Sequence, residues 1–124
     1  MENFSTIETT ILNLQIGCVL RWERLKKELS QFDLATNLGT NPTQIGRIER
    51  SANVSGWDKI YIVSIELHLD FTTLFILKEE EALLKIVEES ILLEKKLTAP
   101  KKRFYEKLKL EIVRLYEILK ASES

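Results

Sequence analysis

Apolar residues return at every third or fourth position along most of this 124-residue chain, and only two prolines and four glycines interrupt them. A period near 3.6 with so few breakers points to helix. No segment keeps the strict alternation of a half-buried strand for long, so the expected class is all-α. The first stripe runs through Ile7, Ile11, Leu14, Cys18, Trp22, Leu25 and Leu29. It predicts one helix, or two abutting ones, reaching about Glu28. Ser5-Thr6-Ile7-Glu8 has the spacing of a capping box at its start.

Punctuation then divides the chain. Ser30 is a good N-cap for a second helix with Leu34, Ala35 and Leu38 on its inner face, and Gly39 suits the left-handed stop. Asn41-Pro42 reads as an N-cap followed by proline at the first helical position, opening a third helix that turns Ile45 and Ile48 inward. Residues 51–56 form a loop. Ser55, with Asp58 three positions on, restarts a helix through Ile60, Ile62, Val63, Ile65 and Leu67. A short turn at Phe71-Thr72-Thr73-Leu74-Phe75 closes a five-helix unit. From Lys78 the chain becomes charged, glycine-free helix, expected over Lys78–Leu97 and Lys101–Ala121. Thr98-Ala99-Pro100 separates the two, because the residue before proline disfavours the α region. The expected organisation is a first unit over 1–77, with a C-terminal helical hairpin over 78–124.

Composition narrows the function. No window approaches the roughly 20 apolar residues that span a bilayer, and the N-terminus lacks the basic start and apolar run of a signal peptide. Cys18 is the only cysteine, so no internal disulfide can form; it lies on the apolar stripe and reads as a small core residue. A reducing cytoplasm suits such a chain. His68 is the only histidine, which leaves neither a histidine-based metal site nor a triad. With no phosphate loop, metal spacing or nucleophile–base pair, the chain reads as non-catalytic, with no cofactor and no metal. Trp22 and Trp57 read as core or staple residues, and Lys101-Lys102-Arg103 as a solvated helix start. The formal net charge is −1. Residues 1–77 carry seven Lys/Arg against nine Asp/Glu, a balance of −2, and residues 78–124 carry eleven against ten. Any affinity for nucleic acid must then come from a local patch and directed hydrogen bonds.

One constellation supplies such bonds. Two short helices, 30–38 and 42–50, joined by Gly39-Thr40-Asn41, have the form of the element that DNA-binding proteins lay across a backbone and into the major groove. Ala35 is small where the helices would cross. With Ile45 and Ile48 inside, Thr43, Gln44, Gly46, Arg47 and Arg50 are left on or near the outer face. Glutamine can pair bidentately with adenine and arginine with guanine, and the threonine methyl can meet that of thymine.

Ile16-Gly17, Leu20, Arg24, Leu29-Ser30-Gln31, Leu34-Ala35, Leu38-Gly39 and Ile45-Gly46-Arg47-Ile48-Glu49-Arg50 resemble the phage repressor/Cro (XRE-like) helix-turn-helix family. The resemblance covers residues 16–75. It implies a five-helix repressor-like DNA-binding domain, with Gln31 on a phosphate and Thr43, Gln44 and Arg47 reading bases. It also implies an internal ion pair between Arg24 and Glu49. Glu28 and His68 stand where that family usually has glycine. The function implied is sequence-specific transcriptional regulation on double-stranded DNA. The alternative is an antitoxin-like or other protein-interaction module with weak or no DNA binding, which leaves room for a protein partner. A homodimer is expected through an apolar seam of Phe104, Leu108, Ile112, Leu115 and Leu119, and a second seam follows Leu83, Ile86, Val87, Ile91 and Leu97.

Overall fold

The computed structural model describes residues 6–123, and all regular structure among them is helical. In chain order the helices are α1 (Ile7–Lys26), α2 (Gln31–Leu38), α3 (Pro42–Glu49), α4 (Trp57–Glu66), a 3-10 helix (Phe71–Phe75), α5 (Glu80–Leu93) and α6 (Ala99–Glu123). Ser5, which opened the expected capping box, lies outside the described residues. Thr6 is the N-cap: the Thr9 N–H donates to Thr6 Oγ1 at 3.2 Å and the Thr6 N–H to Thr9 Oγ1 at 2.9 Å.

α1 is the axis of the fold. Its residues from Gln15 to Arg21 are all buried, which no helix lying on a surface could achieve. α3 and the 3-10 helix pack against it on one part of its surface, α5 and α6 on another. A single core therefore joins Ile11, Leu20, Leu34, Ile45 and Leu74 with Leu83, Val87, Tyr105 and Ile112. It runs straight across the boundary expected at Leu77. The seam expected between two copies is internal: Leu108, Ile112, Leu115 and Leu119 are buried, and Phe104 is half-buried against the same core. A two-helix hairpin could not cover those side chains. α1 supplies the third helix that does.

Gln15 ties the halves together. It is fully buried, and its amide donates to the carbonyls of Leu74 at 3.3 Å and Ile76 at 2.8 Å while its oxygen accepts the Lys78 N–H at 2.9 Å. The Tyr116 hydroxyl adds a bond to the Lys78 carbonyl at 2.5 Å. These bonds satisfy the backbone of the 3-10-to-α5 connection, which burial would otherwise leave unpaired.

Several boundaries differ from the expected ones for physical reasons. α4 starts at Trp57 after Gly56, which makes no side-chain cap, so the Ser55–Asp58 start is not used. Trp57 is not a core or staple residue; it is 71% exposed. α5 stops at Leu93, four residues early, because Glu94 turns to extended backbone. α6 begins at Ala99, before Pro100 rather than after it. Thr98 caps it, its hydroxyl facing the Lys101 N–H at 3.4 Å and its carbonyl accepting from Lys102 at 2.9 Å. Proline is tolerated there because a first-turn N–H has no helical partner to lose. Glu28 and His68 hold left-handed backbone at φ 57° and 59°, the conformation for which glycine is suited. Ser51 does so too, at φ 54°, with its hydroxyl donating to the Asn13 carbonyl at 3.0 Å.

Candidate nucleic-acid interface

α2, its turn and α3 are set by local rules that the sequence obeys closely. The Asp33 N–H donates to Ser30 Oγ at 2.9 Å and the Ser30 N–H to the Asp33 carboxylate at 3.0 Å, a reciprocal cap. Those bonds hold the Asp33 carboxyl below its ordinary range. Gly39 closes α2 at φ 69°. Asn41 then caps α3, accepting the Gln44 N–H at 3.1 Å, and Pro42 occupies the first helical position.

At about 100° per residue, Thr43, Arg47 and Arg50 fall within an arc of roughly 60°, with Gln44 beside it. Thr43, Arg47 and Arg50 are exposed and Gln44 is half-buried. Arg50 is the C-cap residue rather than part of the helix. Ile45 is buried and Ile48 half-buried on the opposite side. Gly46, expected toward the outside, is buried: Arg50 folds back so that a Cβ on Gly46 would meet its Nη1 at 2.7 Å.

Behind α3 lies a charged cluster closed to solvent. Arg24 Nε donates to Glu49 Oε2 at 2.5 Å and its Nη2 to Oε1 at 3.0 Å, while Nη1 reaches the Leu29 carbonyl at 2.7 Å. Burial works against the Arg24 charge, but the bonds and the opposite charge of Glu49 outweigh it and raise the guanidinium pKa. Arg21 donates to the Glu49 backbone carbonyl, and its Nε lies 3.8 Å from that carboxylate. The guanidinium of Arg21 also sits 4.7 Å from the centre of the Phe104 ring, joining α1 to α6. Gln31 joins the cluster from α2, its Nε2 donating to Glu49 Oε1 at 3.0 Å. One amide hydrogen of Gln31 is thereby engaged, and the second remains for an outside acceptor.

α1 approaches the end of α3 closely at Gly17, where a Cβ would lie 2.7 Å from the Glu49 carbonyl and 2.9 Å from that of Ile48. Cys18 beside it is buried, and burial pushes its thiol up to about 11, well above the range of a reactive thiol. Among the described residues no group of three or more His, Cys, Asp or Glu could hold a metal ion, and no helix is long and apolar enough to cross a membrane. The arrangement offers exposed Thr43 and Arg47 on α3 and exposed Arg50 at its C-cap, with half-buried Gln44 beside them, on a helix clamped from behind. The five residues singled out for DNA contact lie on or beside α2 and α3. Sequence reasoning missed Arg21 as a partner of Glu49, because an arginine outside the apolar residues of the first stripe reads as solvated and gave no sign of it. Comparison with known proteins finds no family model, no curated protein and no solved structure that matches this chain.

Proposed function

We propose that this chain is a sequence-specific, non-catalytic DNA-binding transcriptional regulator that inserts α3 into the major groove. In this reading α1 to α4 and the 3-10 helix form a five-helix repressor-like unit. Gln31 and the start of α2 sit on a phosphate, and Thr43, Gln44 and Arg47 meet base edges, with Arg50 beside them. The observation that carries it is the exposed row on α3, on a helix held rigidly from behind by Arg24 and Glu49. A reading helix must be fixed to within a fraction of an ångström for base contacts to discriminate, and a buried bidentate pair is one way to fix it. The test is fluorescence anisotropy of a labelled 30-bp random-sequence duplex at 50 and 200 mM salt. Salt-dependent binding is expected, and no binding at 50 mM would contradict the proposal.

A separate observation bears on assembly. With the α6 seam internal, the large apolar residues left in solvent include Trp57, Tyr61 and Ile65, one stripe along α4, with Ile62 beside them and Phe75 and Ile76 at the 3-10 helix. A patch of this kind marks a contact surface. Its simplest occupant is a second copy, since a two-fold axis lays one stripe against itself and presents two α3 helices to one DNA site. Light scattering should find a dimer for the intact chain and a monomer for Tyr61→Glu/Ile65→Glu. An intact chain that is monomeric at micromolar concentration would exclude it.

A further inference from the structure

We propose that the connection between α5 and α6 is a second DNA-backbone contact, in which Lys95, Lys96 and Lys101 take phosphates flanking those at the start of α2. This rests on the DNA-binding reading above. Residues 94–103 hold five cations (Lys95, Lys96, Lys101, Lys102 and Arg103) against the single acid Glu94, the densest positive run in the chain. The fold brings that run beside α2 and α3. An open groove of about 970 Å³ is lined both by Gln31, Phe32 and Pro42 and by Lys95, Lys96 and Lys101. Lys95 lies near enough for its charge to help lower the Asp33 carboxyl in the first turn of α2.

The connection is fixed relative to α3, so its cations are held in place rather than trailing. The Tyr105 hydroxyl donates to Glu94 at 2.5 Å and Lys101 Nζ to the same carboxylate at 3.2 Å. Tyr105 and Phe104 lie under the Arg21 guanidinium, which is bonded in turn to Glu49 of α3. Lys95, Lys96 and Lys101 are nevertheless exposed. Four acids line the groove: Glu49 is paired with Arg24, Glu94 accepts from Tyr105 and Lys101, Asp33 is occupied with the Ser30 cap, and Glu28 is the fourth. A polyanion crossing α2 would otherwise meet a unit of charge −2 over residues 1–77. Cations at its flank are what such a unit needs to hold a phosphate backbone.

The experiment measures binding of a 30-bp random-sequence duplex between 50 and 200 mM salt for three forms of the full chain. These are wild type, Lys95→Gln/Lys96→Gln/Lys101→Gln, and a charge-matched Lys85→Gln/Lys107→Gln/Lys120→Gln control outside the groove. Each phosphate contact contributes about 0.9 to the slope of log affinity against log salt, and at 0.15 M roughly fivefold in affinity. The groove variant should lose two to three contacts, so its slope should fall by about 2 to 3 and its affinity by at least about twentyfold, while the control should stay within about threefold. Because Lys101 braces Glu94, Lys95→Gln/Lys96→Gln alone, with an unchanged melting curve, should still lose about 1 to 2 units of slope. A groove variant that matches wild type or the control overturns the inference and leaves the DNA-binding reading standing. Unchanged DNA binding with lost binding to poly-glutamate would also overturn it, assigning the patch to an acidic protein. A wild type that binds no duplex removes the DNA-binding reading itself.

Discussion

Glu49→Gln isolates the part of the structure that holds α3 in place. The substitution keeps the side chain's size and removes the one carboxylate that faces two buried guanidinium groups. Glu49 is 2% exposed, against 8% for Arg24 and 6% for Arg21. Three donors converge on the carboxylate: Arg24 Nε and Nη2 and Gln31 Nε2, at 2.5 to 3.0 Å. Removing one partner of a buried pair leaves an uncompensated charge and costs about 3–5 kcal/mol. For a domain of this size that lowers the melting temperature by roughly 10–20 °C. Circular dichroism on heating and in urea measures it. Arg24→Leu added to Glu49→Leu should recover at least about 1 kcal/mol relative to Glu49→Leu alone, since replacing a whole buried pair with apolar groups is often neutral. A Glu49→Gln variant within about 1 kcal/mol of wild type would refute the view that this carboxylate secures α3.

Gly17→Ala should destabilise the fold by about 2–3 kcal/mol, because the new methyl would meet not only the Ser51 hydroxyl, which could turn away, but also the Glu49 and Ile48 backbone carbonyls, which could not. An urea midpoint equal to wild type would show that α1 and α3 can separate freely there. Cys18 makes stability fall in alkali. Its thiol is pushed up to about 11 from an ordinary 9.0, so the folded state holds its proton more tightly than the unfolded chain. The stabilisation is complete below pH 9 and is lost as pH rises through 11, amounting to about 2–3 kcal/mol. Urea titrations from pH 8 to 11 should show that component in wild type and not in Cys18→Ala; parallel curves would rule it out.

Much of the fold was legible where local chemistry decides. Ser30, Gly39, Asn41 and Pro42 each act on the backbone within one turn, and α2 and α3 fall where those residues place them. Glu28 and His68 stand out for the same reason: a backbone of positive φ follows from a turn, and the resemblance had already put glycine there. What an amphipathic stripe packs against was not legible. Leu108, Ile112 and Leu115 present an apolar face whether the partner is another copy or α1, and only the path of the chain decides. Gln15 carried no signal, since a glutamine reads as solvated until the carbonyls of Leu74 and Ile76 are brought to it. Trp57 misled because aromatic size favours burial in general, whereas the start of α4 leaves it in solvent. On α3, Thr43, Arg47 and Arg50 lie on one face as helical spacing requires. Gly46 is buried beside that face because Arg50 folds over it, a rotamer effect invisible to spacing.

The most direct test of the central claim is selection from a randomised duplex library, with the enriched site then titrated against wild type and Arg47→Ala. Arg47 is exposed on α3 and is assigned here to a base edge. The account predicts that a defined sequence is enriched, that Arg47→Ala binds it about 1–3 kcal/mol more weakly, and that preference relaxes at one base position. A library that yields no common sequence, or an Arg47→Ala protein that binds the enriched site as wild type does, would contradict it.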